Sequence, residues 1–165
     1  MPFHLLVVED STADLRLIRL GVARCHGCTA AFAEDGEVAL SILKREPPYQ
    51  DAPRPDLVLL DVNLPRLSGH ELLAILSADQ DLRSIPVVVF SGSPNPADHA
   101  RAMTSGAFAF VVKPGSLEPF VDTVAAIVLG WAEKKAGTTP PLPPLPPLEK
   151  GEDPAPGAES FPDPN

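Results

Sequence analysis

Along residues 1–136, short apolar runs alternate with longer segments in which apolar residues return every three or four positions. The runs are Phe3–Val8, Cys28–Ala33, Asp56–Leu60, Pro86–Phe90 and Phe108–Val112. Each is five or six residues long, and three are rich in valine or flanked by proline and acids, which marks buried strands. Between them the spacing is helical. Leu15, Ile18 and Val22 share one face, as do Val38, Ile42 and Leu43, and then Leu72, Leu73 and Leu76. Ala97–Ser105 is a weaker helix carrying mostly alanine and Met103 on its apolar side. Phe120, Val124, Ile127, Val128 and Trp131 form the clearest apolar stripe, on the last helix.

Strand and helix thus alternate five times. Uninterrupted apolar strands between helices imply a parallel sheet covered on both faces. The length fits an open, doubly wound five-stranded α/β sheet and is too short for a barrel, which takes about 250 residues. In such sheets the functional crevice lies beyond the carboxyl ends of the strands.

Composition adds a boundary. Ten of the 21 prolines fall between Pro140 and Pro164, and Pro140–Leu148 can form neither helix interior nor central strand. Residues 1–136 are therefore expected to be the globular domain, and 137–165 a proline-rich, acidic, disordered tail, a spacer or solubilising end. Hydrophobic residues make up 44% of the chain, enough for a packed core. A net charge of −9 is the opposite of a nucleic-acid-binding footprint. The longest apolar stretch, Val124–Trp131, falls far short of the roughly 20 residues that span a bilayer. No signal peptide is visible, so the expectation is a cytoplasmic protein that binds neither membrane nor nucleic acid.

The strand ends carry the chemistry. Glu9-Asp10 follow strand 1, Asp61 and Asn63 follow strand 3, Ser91-Gly92 follow strand 4, and Lys113-Pro114 follow strand 5. If those strands are neighbours, three carboxylates, a hydroxyl, an ammonium and a glycine amide meet in one crevice. Each residue has an ordinary structural account as well. Ser11-Thr12-Ala13-Asp14 reads as a capping box, Asp61 as a turn former, Ser91 as a cap of the next helix, and Lys113-Pro114 as a strand exit. Taken together these accounts require acids and a lysine to gather at one sheet edge by accident. Clustered carboxylates repel, and a bound hard cation relieves them; Mg²⁺ suits a shallow oxygen-lined site that also takes a phosphate.

This order and spacing resemble response-regulator receiver domains, the CheY-like partners of sensor histidine kinases, over residues 3–134. Asp61-Val62-Asn63-Leu64-Pro65, the proline-bearing loop 46–55 and the ending Phe120…Ile127…Trp131 resemble the single-domain regulators paired with bacterial phytochrome-type kinases. The resemblance implies a flavodoxin-like (βα)5 fold with strand order 2-1-3-4-5. It implies that Asp61 is the phosphoacceptor, and that Glu9, Asp10, Asp61 and the Asn63 carbonyl hold Mg²⁺. Lys113, the Ser91 hydroxyl and the Gly92 amide would bind the phosphoryl oxygens, with the Asn63 side chain tuning its lifetime. Ser91 and Phe110 would form the switch, Phe110 turning inward when Ser91 moves. The chain departs from the commoner pattern in having Glu9 for aspartate, Ser91 for threonine and Phe110 for tyrosine.

Three rivals fit less well. Cys25-His26-Gly27-Cys28 is a C-x-x-C, but it follows helix 1 rather than opening a helix, so a redox role loses the dipole that would activate the first thiol. An aspartate-nucleophile phosphatase of the haloacid-dehalogenase type needs a second aspartate where Asn63 stands. An unphosphorylated scaffold would not need the full residue set. The expectation is therefore a stand-alone response regulator, not an enzyme beyond its own phosphotransfer and autodephosphorylation, with a sensor histidine kinase upstream and a protein partner downstream. A homodimer through helix 4–strand 5–helix 5 is expected from Val121, Ala125 and Leu129, apolar residues outside the main stripe of the last helix.

Overall fold

The computed structural model describes residues 2–137; all but the first residue of the expected tail lies outside them. Its elements, in chain order, are β1 (Phe3–Val8), α1 (Thr12–Val22), β2 (Cys28–Ala33), α2 (Gly36–Leu43) and β3 (Leu57–Leu60). They continue with α3 (Gly69–Ala78), β4 (Val87–Ser91), α4 (Pro96–Thr104), β5 (Ala109–Val112) and α5 (Leu117–Lys135). The strands form one parallel sheet in the order β2-β1-β3-β4-β5. This is the doubly wound sheet that the alternation predicts, in the flavodoxin-like strand order that the resemblance implies.

The pleat divides the apolar strands between two cores. Leu6, Val8, Val58, Leu60, Val87 and Val89 pack under α2, α3 and α4, where they meet Ile42, Leu72, Leu76 and Ala102. Leu5, Val7, Leu57, Leu59, Val88 and Phe90 pack on the other face against Ile18, Phe120, Val124 and Val128 of α1 and α5. α4 buries only Ala102 among its residues, as its weak pattern implies.

Boundaries depart from expectation by one residue. β3 begins at Leu57, one residue late, although the Asp56 amide still donates to the His4 carbonyl at 2.7 Å; the Asp56 carboxylate accepts the His4 amide and the Lys135 ammonium, each at 2.8 Å. β4 runs on to Ser91. A complete capping box closes on Ser68 and Glu71 at α3 rather than on Ser11. Ser11 Oγ does accept the Asp14 amide, at 3.3 Å, but the Asp14 carboxylate is engaged elsewhere. Asn95, not Ser91, caps α4.

The second apolar side of α5 is covered within the chain. Val121 and Ala125 are buried, and α1 approaches α5 so closely at Gly21 that a Cβ there would lie 2.7 Å from the Val124 Cβ. The expected dimer face therefore loses Val121 and Ala125 and keeps only Leu129, 36% exposed. Cys25 and Cys28 are joined by a disulfide around Gly27, which turns with φ +83°. The bond sits at the start of β2, on the sheet edge opposite the strand ends. Among the described residues no helix is long and apolar enough to cross a membrane.

Candidate functional site at the carboxyl edge of the sheet

The sheet ladder continues one residue past its strands and fixes the residues that follow them. The Glu9 amide donates to the Ala33 carbonyl at 3.0 Å, the Asp61 amide to the Val8 carbonyl at 3.0 Å, and the Lys113 amide to the Ser91 carbonyl at 2.8 Å. Each backbone is thereby held by a neighbouring strand, and the side chains that continue from β1, β3 and β5 converge. Gly69, first residue of α3, seats against the Asp61 carbonyl and Val62 Cα, where any Cβ would collide. The loop bearing Asp61 is thus clamped between β1 and the start of α3.

Lys113 is the centre of the cluster. Its ammonium donates to Glu9 Oε2 at 2.6 Å, Asp14 Oδ2 at 2.8 Å and Asp61 Oδ2 at 2.9 Å, satisfying all three protons. Glu9, Asp61 and the lysine side chain are all nearly buried. Burial alone would lower the lysine pKa, but the three charge-assisted bonds outweigh it and hold the ammonium above its ordinary range. Glu9 is pushed up to about 7, chiefly by burial and then by the Asp61 charge, against the opposing bond from Lys113.

The carboxylate oxygens of Glu9, Asp10 and Asp61 lie within 4.8 Å of one another. This all-oxygen set fits a hard divalent cation. Asp10 is exposed, giving the cluster an open side. Asn63 lies at the same loop, its amide donating to Asp61 Oδ1 at 3.1 Å. Glu9 is already engaged at both oxygens, with Ser11 N–H at 3.1 Å on Oε1 and Lys113 on Oε2.

Ser91 and Gly92 stand at this edge through the Lys113 backbone bond, but the hydroxyl of fully buried Ser91 faces the β4–α4 loop, accepting the Ser93 amide at 3.2 Å. Phe110 is buried, its ring edge-on to His99 at 5.3 Å. Asp14 is a further site component that the sequence does not mark: it stands in the first turn of α1, where a carboxylate reads as part of the cap.

A response regulator receiver domain model matches residues 5–125. Response regulator Rcp1 of Synechocystis sp. is 34% identical over 133 residues, which cover 80% of this chain and 90% of that protein. The probable methanogenesis regulatory protein FilR2 of Methanothrix harundinacea is 38% identical over 136 residues, 79% of this chain and 86% of that one. Among solved structures, the phosphorylated cyanobacterial phytochrome response regulator RcpA superposes with a TM-score of 0.78 at 34% identity, over 81% of this chain and 96% of its own. The Mn²⁺-bound form of Rcp1 gives 0.74 at 33% identity, over 86% and 99%. A chain with these strand ends, this strand order and this matched span belongs to the response regulator receiver domain family.

Proposed function

We propose that Asp61 is the phosphoacceptor of a stand-alone response regulator, taking its phosphoryl group from a sensor histidine kinase in a Mg²⁺-dependent reaction. The observation that carries this reading is the Lys113 ammonium, bonded to the Asp61 carboxylate at 2.9 Å among two further acids. An Asp61 oxygen attacks phosphorus, the P–N bond to the kinase histidine breaks, and its electron pair stays on the imidazole nitrogen. An acyl phosphate results. Phosphoryl transfer asks chiefly for positioning and charge stabilisation, and this edge supplies both. Lys113 exchanges a carboxylate partner for a phosphoryl oxygen, while the Ser91 hydroxyl and Gly92 amide bind the others. The Asn63 side chain, exposed beside the nucleophile, tunes the attack of water that ends the signal.

Glu9, Asp10, Asp61 and the Asn63 carbonyl would hold Mg²⁺, which when bound neutralises charge on the transferring group. The Mn²⁺-bound form of the relative Rcp1 supports a divalent cation here. Likeness to RcpA, a phytochrome response regulator, favours a phytochrome-type kinase upstream. The downstream readout is a protein contact, and the chain acts in the cytoplasm, with residues 137–165 as its proline-rich spacer. Dimerisation through α4, β5 and α5 rests now on exposed Met103, Phe108, Val112 and Leu117 instead of α5 alone.

Acetyl phosphate with Mg²⁺, read by intact mass, tests the reading. One phosphoryl mass is expected, absent without Mg²⁺ and absent in Asp61→Asn. Labelling elsewhere, or none even with a cognate kinase, rejects it. Light scattering with and without a phosphoryl mimic tests the dimer.

A further inference from the structure

Away from the acidic cluster, a buried histidine is left without partners. His70, second residue of α3, is 7% exposed, and neither ring nitrogen has a hydrogen-bond partner. Leaving a buried polar group unpaired is costly, so its retention points to a state in which it is paired. The imidazole faces Asp98 of α4, whose Oδ1 lies 3.8 Å from Nε2. That is too long for a hydrogen bond and short enough for a small helix movement to close.

The other oxygen of Asp98 leads back to the strand ends. Asp98 Oδ2 accepts the Ser93 hydroxyl at 2.5 Å, and the Ser93 amide donates to Ser91 Oγ at 3.2 Å. Asn95 N–H donates to Ser93 Oγ at 3.3 Å, fixing the hydroxyl rotor toward Asp98. Polar contacts therefore run from Ser91 through the β4–α4 loop to α4, with one gap, at His70.

We propose that Asp98 is a positioning residue shared between Ser93 and His70, coupling the Ser91 hydroxyl to the spacing of α3 and α4. This rests on the reading that Ser91 shifts toward a phosphoryl group on Asp61. As Ser91 moves, the Ser93 amide follows its oxygen and the Ser93–Asp98 bond lengthens. The freed carboxylate then takes an imidazole N–H, drawing α4 against α3 and pairing the nitrogen that the resting state leaves alone. A conformational change of this kind needs a contact that differs between the two states, and the Asp98–His70 gap is one.

Protonation follows from the geometry. The charged groups facing the imidazole are Asp98 and Arg101, both of α4, and Glu71 of α3 also feels Arg101. At rest, burial and then Arg101 hold His70 below the ordinary histidine range, with Asp98 opposing them. Bringing Asp98 into contact raises its proton affinity. By linkage, protonation must then favour the phosphoryl-bound state.

The test uses the full chain with isotope-labelled histidine, Mg²⁺ and beryllium trifluoride as phosphoryl mimic. The His70 ring resonances are expected to titrate at higher pH with the mimic bound, and this rise should vanish in Asp98→Asn. Ser93→Ala, which frees Asp98, should raise the His70 titration without any mimic, an effect a packing role would not produce. Mimic binding should be about threefold tighter at pH 6 than at pH 8 after normalising to His70→Asn. A wild type that binds no mimic overturns both this coupling and the phosphoacceptor reading. A wild type that binds it with His70 unmoved, or a rise that persists in Asp98→Asn, overturns the coupling alone.

Discussion

The Lys113 ammonium lies closer to Glu9, at 2.6 Å, than to Asp61, at 2.9 Å, although the Glu9 carboxyl is pushed up to about 7. Burial sets that rise, since the Asp61 charge only adds to it. A cation entering between Glu9, Asp10 and Asp61 has to displace the proton. With Glu9 at about 7, divalent-cation affinity is expected to rise about tenfold between pH 6 and pH 8. Calorimetric titration with Mg²⁺ or Mn²⁺ would show it, with proton uptake by the buffer at pH 6. Glu9→Gln should flatten the dependence; an equal slope in that variant would mean another group titrates.

The same raised carboxyl shapes metal-free stability. Folded Glu9 keeps its proton up to about pH 7, whereas the unfolded chain releases it near 4.5. Its contribution is therefore complete below pH 4.5 and is lost as pH rises through 7. Mg²⁺ held at the proposed site would offset this loss, so its stabilisation in thermal melts should be larger at pH 8 than at pH 5. Equal shifts at both pH values would count against a cation site that includes Glu9.

Lys113→Met removes the shared donor of three acids. Breaking a buried ion pair by deleting one partner costs about 3 kcal/mol or more. At pH 5 Glu9 already holds its proton, so one fewer charge is left unpaired, and urea unfolding should show a larger deficit at pH 8 than at pH 5. Mg²⁺ should restore stability in this variant, yet acetyl phosphate should no longer label Asp61. Separation of these two readouts would tell counter-charge from phosphoryl binding.

Much of this was legible beforehand because the central strands are apolar on both faces, so run length alone located β1, β3 and β4 to within a residue. The polar residues that end those runs then fell on one edge by topology. Asp14 escaped because a carboxylate in a first helical turn looks like a cap, and only the path of Lys113 shows otherwise. Val121 and Ala125 misled because a second apolar helix face reads the same whether another molecule or α1 covers it. The state of Phe110 depends on side-chain packing against His99, which sequence periodicity does not encode. The i, i+3 spacing of Cys25 and Cys28 permits both an open pair and the bonded one observed.

Asp35 ties the β3–α3 loop to α2. Its Oδ1 accepts the Val38 amide at 2.8 Å as the α2 N-cap, and its Oδ2 pairs with Arg66 at 2.5 Å. The cap bond first, and then Arg66 against the cost of burial, hold this carboxyl below its ordinary value. Its stabilisation is present above pH 3.8 and lost as pH falls through the depressed value. Asp35→Ala should cost about 1–2 kcal/mol in denaturant unfolding at pH 7. Arg66 is two-thirds exposed, so Arg66→Ala should cost well under that. A reversal of this order would place the stability in the ion pair instead of the cap.

Gly21 is expected to resist substitution even though it sits inside a helix. Replacing a helix-interior glycine with alanine ordinarily gains about 1 kcal/mol. Here the new Cβ would lie 2.7 Å from both Cβ and Cγ1 of Val124, and 3.0 Å from the Val121 carbonyl oxygen. Val124 cannot swing aside, because its Cβ is fixed by the backbone and a β-branched residue in a helix has one strongly preferred rotamer. Overpacking of this kind costs about 1–3 kcal/mol, which outweighs the propensity gain. Gly21→Ala should therefore destabilise the domain, and Val124→Ala should do so by opening a cavity. Combined, the two changes remove the Cγ1 contact but leave the two Cβ atoms 2.7 Å apart, because alanine at 124 keeps its Cβ, so the relief is partial. The double variant should be about 0.5 kcal/mol more stable than the sum of the single changes predicts. Additive losses in urea unfolding would show that α1 and α5 separate to admit the methyl group, so that the close approach at Gly21 does not hold the two helices in register.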